Sequence, residues 1–207
     1  TIKESDLYLD FNTTVIEQSF CSDIKEAEYS FQYKALNGYN QEVDFNVEGL
    51  SGTDVSFNPA KATSNNTTIT LTISDITVQK DVFNVITESN GIRFEQPLTI
   101  NVNNNTPTSP SLVSPLNGAT SYRSPYSFEW EEQDNTLEYI INIATDEAFE
   151  NTVLSEIIKG SKFSTSILEY ETTYYWKVQG KNSCGNGVFS ESYQFTTQSE
   201  NEFKTYV

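Results

Sequence analysis

Apolar and polar residues alternate with period two along most of this chain. In AEYSFQYKA, Tyr29, Phe31, Tyr33 and Ala35 share one face, with Ser30, Gln32 and Lys34 on the other. In EVDFNVE, Val43, Phe45 and Val47 alternate with acids and Asn46; in TTITLTIS, Ile69, Leu71 and Ile73 alternate with threonines. Ile92, Phe94, Leu98, Ile100 and Val102 share a face in the next stretch. One dry face and one wet face is the pattern of strands in an antiparallel sandwich. No window sustains the i, i+3, i+4, i+7 apolar stripe of a helix. The alternation stops at Val102, where the polar run NNNTPTSPS carries Pro107 and Pro110, residues excluded from central strands. A second set follows. Tyr126, Phe128 and Trp130 alternate in YSFEW, Tyr139, Ile141 and Ile143 in LEYIINIAT, and Tyr174, Trp176 and Val178 in TYYWKVQ. The pattern predicts an all-β chain of two tandem antiparallel β-sandwiches: residues 1–103, a linker 104–110, residues 111–198, and a connector 199–207.

Composition narrows the function classes. The 207 residues hold 12 Lys+Arg against 29 Asp+Glu, a formal net charge of −17. Six basic and 15 acidic residues lie in 1–103 and six and 14 after it, so the charge is spread rather than held in a tail. Phosphate backbones and anionic membranes would repel such a surface, which argues against nucleic acid and membrane partners. No apolar run approaches the ~20 residues needed to span a bilayer. The chain has no His, which removes Ser-His-Asp and Cys-His triads and His-ligated zinc, and two Cys cannot make a four-thiolate site. Gly-rich phosphate loops are absent from the sequence. Met is absent too, and the chain opens with Thr1, so it reads as an internal piece of a larger protein, expected as a monomer.

Four features invite a chemical reading. Glu129, Glu131, Glu132 and Asp134 could offer oxygens to Ca²⁺, yet their spacing matches no calcium loop and suits a solvated edge. Asp146 and Glu147 could pair for glycoside chemistry; against that, Asp146 is expected to cap one helical turn while Phe149 plugs the sandwich end. Tyr122, Tyr170, Tyr175 and Tyr193 could stack on sugar rings as surface aromatics, with Tyr175 the one that alternation clearly turns outward. The sequons at Asn12, Asn65, Asn66 and Asn104 arise readily in an Asn- and Thr-rich chain and carry no chemistry here. None proposes a catalytic, cofactor or metal site, and the chain is read as non-enzymatic.

The second sandwich resembles a fibronectin type III module. Trp130 in its second strand, Tyr139-x-Ile141-x-Ile143 in its third, and the spacing Leu168, Thr172, Tyr174, Trp176, Val178 carry the likeness. The resemblance implies a core of Trp130, Tyr139, Leu168, Tyr174 and Trp176, with Tyr174 as the tyrosine-corner residue bonding to upstream backbone. Tyr170 departs from the pattern, standing where Pro is common. SPLNGA, IATDEAFEN, TTYYWKV and NSCGNGVFS are similar to the bacterial secreted-enzyme branch of the family. The first sandwich resembles bacterial immunoglobulin-like modules found beside secreted peptidases, through Cys21, ALNGYNQEVDFNVEGL, VSFNPAKAT and TTITLTI. Together these resemblances imply an accessory region of a secreted or cell-surface bacterial protein, with a peptidase as the parent and a protein or surface as partner. An adhesin stalk and a glycan-binding module are the competing readings.

The resemblance also bears on the two cysteines. In an immunoglobulin-like sandwich, Cys21 would lie after the first strand group, where the chain leaves the first domain. Cys184 would lie in the turn before the last strand, where the chain begins the second. A Cys21–Cys184 bridge follows from that layout; two unpaired cysteines, each tucked under its own loop, are the other reading.

Overall fold

The alternating stretches are strands in the computed structural model, which describes residues 7–11, 16–24, 26–76, 80–89 and 91–200. The chain divides into two units, Thr1–Asn104 and Asn105–Val207. Among the described residues only Glu200 is helical. The connector read over 199–207 lies outside them from residue 201 onward, as does the Asn12 sequon.

In the first unit the strands are β1 (Leu7–Asp10), β2 (Glu17–Cys21), β3 (Glu26–Ala35), β4 (Val43–Glu48) and β5 (Asp54–Asn58). They continue with β6 (Lys61–Ala62), β7 (Thr67–Ser74), β8 (Lys80–Ser89) and β9 (Ile92–Asn103). One sheet has the order β1-β3-β7-β5 and the other β2-β9-β8-β4-β6. Pairing is antiparallel except between β2 and β9, which run parallel. The register of β3 on β7 sets Tyr29 opposite Leu71 and Phe31 opposite Ile69. These side chains meet Phe83, Val85, Leu98 and Ile100 from the other sheet, all buried in one core. The Tyr29 and Phe83 rings meet edge to face at 5.8 Å, a favoured aromatic geometry.

The tyrosines of this core keep their polar ends indoors. Tyr29 donates to the Thr99 carbonyl at 3.0 Å. Burial, and secondarily the charge of Glu17, push its pKa up. Burial likewise raises Tyr33, and Tyr126 in the second unit. A raised tyrosine pKa means that the folded state holds the proton. The stability involved is fully present below the ordinary value of about 10 and is lost as pH climbs above it toward the folded value. Absorbance of phenolate followed with near-UV circular dichroism should therefore show a late fraction of tyrosines ionising only as the fold is lost. All twelve titrating near pH 10 with native dichroism intact would contradict this.

The second unit comprises β10 (Leu112–Ser114), β11 (Ala119–Tyr122), β12 (Tyr126–Trp130), β13 (Glu138–Ala144) and β14 (Thr152–Ile158). After them come β15 (Lys162–Thr165), β16 (Thr173–Asn182), β17 (Gly185–Phe189) and β18 (Tyr193–Thr197). A three-stranded sheet β10-β12-β15 faces a sheet of order β11-β18-β16-β13-β14, in which β17 also pairs with β16. Trp176 is fully buried between them, with Phe128 at 5.1 Å and Phe195 further along the same aromatic row.

The stretch read as the linker 104–110 is built into this unit from Asn105 onward. Pro107 and Pro110 are buried. The Asn105 carbonyl accepts from the side-chain amides of Asn135, at 2.9 Å, and Asn182, at 2.8 Å. Thr108 Oγ1 donates to Gln133, and Ser109 Oγ to the Phe189 carbonyl.

Candidate functional site

Within each unit, the cysteine lies beside the chain segment next to the Asn104–Asn105 junction. Cys21 is the last residue of β2 and stands in register with Asn103, at the end of β9. The sequence reading put it in a loop; the parallel pairing with β9 extends the strand through it, and Ser22 N–H closes the ladder on the Asn103 carbonyl at 2.8 Å. Cys184 occupies the tight turn between β16 and β17. Its N–H donates to Asn182 Oδ1 at 2.8 Å, while the Asn182 amide reaches the carbonyls of Asn105 and Asn135. One buried asparagine thus ties the cysteine turn to the start of the second unit, a role nothing in the sequence signals. Both cysteines are disulfide-bonded, and neither is a free thiol.

Residues tied to the fibronectin resemblance lie in the second core. Trp130, Tyr139, Leu168, Tyr174 and Trp176 are all buried. The Trp130 and Tyr139 rings pack at 5.5 Å. Tyr174 Oη accepts the Glu169 N–H at 3.0 Å, a bond to backbone five residues upstream, across the chain reversal that precedes β16.

Other candidates separate. Glu129 is paired with Lys162 at 3.0 Å, and Glu131, Glu132 and Asp134 are exposed. Among the described residues no three His, Cys, Asp or Glu side chains converge as a metal site would require. Asp146 does cap a segment, but the segment is a non-helical turn leading to β14. Its carboxylate accepts from the N–H groups of Asn151 at 2.7 Å and Glu150 at 3.1 Å. The chain can close this way because Phe149 adopts a φ of 59°, which prevents a helical continuation. Those bonds, from Asn151 first, hold the Asp146 pKa below the usual carboxylate range. A depressed carboxylate stabilises the fold above its unfolded pKa of about 3.9 and ceases to do so as pH falls through the folded value. Asp146→Ala should lower the melting temperature at pH 7, with the gap to the parent closing in acid. Equal melting temperatures at pH 7 would contradict the cap.

Phe149 does not plug the sandwich end. Its ring lies on the outer face of the five-strand row, 3.8 Å from the Lys177 ammonium, which also sits 4.5 Å from the Phe189 ring. A cation between two aromatic faces is favourable and makes Phe149 part of a surface clamp. The tyrosines are less exposed than the sequence reading had them. Tyr122 is half-buried, donates to the Ser127 carbonyl and meets Phe195 edge-on at 5.5 Å. Tyr193 packs against Trp176. Tyr175 is half-buried, and Tyr170, at 41% exposure, is the open one of the four.

Two features had no sequence signal. On the first unit, Arg93 bridges β4, β8 and β9 by reaching Glu48 at 3.0 Å, Glu95 at 2.7 Å and Glu88. On the second, a recess of about 270 Å³ opens between residues 109–112 and 190–193.

No family model matches the chain, and no curated protein does. Among solved structures it is similar to the fibronectin(III)-like modules of CbhA from Clostridium thermocellum, at 11% identity over 94% of this chain and 96% of that one, with a TM-score of 0.45. It is also similar to several domains of titin, at 11% identity over 94% of this chain and 66% of that one, with a TM-score of 0.43. A Fn3-like protein from Clostridium thermocellum is 14% identical over 45% of this chain and 92% of its own, with a TM-score of 0.34.

Proposed function

We propose that this chain is a non-catalytic accessory region of a larger secreted bacterial protein, a peptidase, in which it spaces and orients the catalytic domain or holds a protein or surface partner near it. The carrying observation is that both cysteines are disulfide-bonded, one in each unit. Stable disulfides belong to oxidising compartments outside the cytosol. The chain has two cysteines, so the proposed pair is Cys21 with Cys184. Such a bond closes a long loop and would stabilise the oxidised chain by roughly 2–4 kcal/mol, mainly by restricting the unfolded ensemble. It would also restrain the Asn104–Asn105 junction, which suits a spacer better than a free hinge does. The peptidase parent rests on the resemblance of both sandwiches to modules of secreted bacterial enzymes.

Two observations test this reading. The purified chain should turn over neither casein nor a polysaccharide; activity that survives repurification would overturn the non-catalytic assignment. The reading frame of the parent should encode a catalytic domain, marked by a His-Glu-x-x-His stretch or a serine-protease triad. Further sandwich repeats ending in a wall anchor, with no catalytic domain, would replace the peptidase with an adhesin stalk.

A further inference from the structure

β14 ends the five-strand row of the second unit, and its outer side is open. Among the described strands it is the longest with a single partner: seven residues, Thr152–Ile158, paired with β13 alone. The free side of such a strand is a row of backbone donors and acceptors that a further strand can join, and edges are commonly blunted by charge, proline or a bulge. β14 carries little of this. It has no proline, and its one charge, Glu156, stands opposite the buried Ile141 on the core-facing side. A one-residue slip of the ladder at Val153 is confined to its start. The outer row, Val153, Ser155 and Ile157, is uncharged, with Val153 46% and Ile157 57% exposed.

This edge is complementary to itself. Two copies of β14 running antiparallel about a two-fold axis at Ser155 set Val153 opposite Ile157, Ser155 opposite Ser155, and Ile157 opposite Val153. Apolar pairs then flank a polar one. The rows continue into β13 of each copy, where Ile140 stands opposite Ile157 and Asn142 opposite Ser155. Ser155 Oγ already donates to Asn142 at 2.8 Å, so neither hydroxyl at the axis is left without a partner. Sliding the pair by two residues one way would set Glu156 against Glu156, a like-charge pair, and the other way Val153 against Ser155. The ends match as well. Glu147 and Glu150 precede the strand and Lys159 follows it, all exposed. Among the described residues none of these three has an ion-pair partner. Antiparallel pairing brings Lys159 of one copy opposite Asn151 and beside Glu150 of the other, so unlike charges meet at both ends.

We propose that two copies of this chain pair β14 to β14 as a symmetric dimer, each five-strand row continuing into the other. A two-fold contact closes on itself, so association stops at two. An interface one strand wide belongs to the small, weak class, with a Kd of about 100 µM. The monomer expected from the sequence then describes the chain when it is dilute. The proposal is independent of the spacer reading.

The test is sedimentation equilibrium of the whole chain from about 5 µM to about 1 mM, at about 0.15 M salt, where charge is screened beyond about 8 Å. The weight-average mass should rise from 23.4 kDa toward twice that value and no further. Val153→Lys combined with Ile157→Lys, both on the exposed outer row, should weaken dimerisation roughly ten-fold or more, because each apolar pair becomes a pair of like charges. Lys159→Glu alone and Glu150→Lys alone each set like charges at both ends and should weaken it about five-fold. An equimolar mixture of these two variants restores unlike charges at both ends and should return to within about two-fold of the parent. That recovery also shows that each variant is folded. The proposal is overturned if the chain stays monomeric to the highest concentration, if association runs past the dimer, if the Val153 and Ile157 substitutions leave the affinity unchanged, or if the mixture associates no better than either variant alone.

Discussion

Replacing Trp176 with alanine is expected to cost the second unit about 3–5 kcal/mol, the range for removing a large aromatic side chain from a packed core. Trp176 has no exposure at all and is held by Phe128 at 5.1 Å and Tyr193 at 6.3 Å, both edge-on. Small domains have about 5–15 kcal/mol in total, so the variant should be marginal or unfolded in its second unit. The first unit has its own separate core around Tyr29, Phe31 and Leu71. It should keep its own transition. Urea denaturation followed by circular dichroism distinguishes the two, and an unchanged midpoint for the second unit would mean that Trp176 is not the centre of its packing.

Gly187→Ala is expected to have the next largest effect, well beyond what its position on a short surface strand suggests. A Cβ built on Gly187 would lie 2.2 Å from the Pro107 carbonyl oxygen and 2.9 Å from its carbon. Both are backbone atoms, and the strand cannot relieve the overlap by turning a side chain. The chain must move instead, at roughly 1–3 kcal/mol or more. Asn186→Ala, next to it and exposed, should change stability by no more than about 0.5 kcal/mol. Equal urea midpoints for the two variants would contradict the docking of Pro107 onto β17.

That prediction marks where reading the sequence fell short. NNNTPTSPS looks like a linker because it is polar and carries two prolines, and prolines do keep it out of the sheets. Nothing in its composition discloses that Pro107 rests on Gly180 and Gly187, whose missing side chains make the room. The long strands were legible for the opposite reason: β3, β7, β12 and the first half of β16 each bury every second residue, so local alternation and tertiary burial agree. β8 was not legible. It buries Thr87 completely beside Ile86 and turns Val82 out at 58% exposure, which scrambles the alternation. β14 is an edge strand with Val153 and Ile157 exposed, so its apolar residues do not mark a face. The same limit applies to the sites. The role of Tyr174 was implied by the resemblance to a fibronectin module, and its hydroxyl accepts the Glu169 N–H across a local chain reversal. The Lys177 clamp and the recess beside Tyr193 join residues distant in sequence, and the Arg93 bridge adds Glu48, 45 residues away, to its near neighbours Glu88 and Glu95.

The proposed function rests most heavily on the proposed pairing of Cys21 with Cys184, which would combine an oxidising setting with the restraint that a spacer role requires. Mass spectrometry of a non-reduced digest, with alkylation under denaturing conditions beforehand, tests it directly. The account predicts one cross-linked species joining the peptide that contains Cys21 to the peptide that contains Cys184, with no alkylated thiol. Two alkylated cysteines in the denatured protein, or a bond joining two copies of the chain, would contradict it.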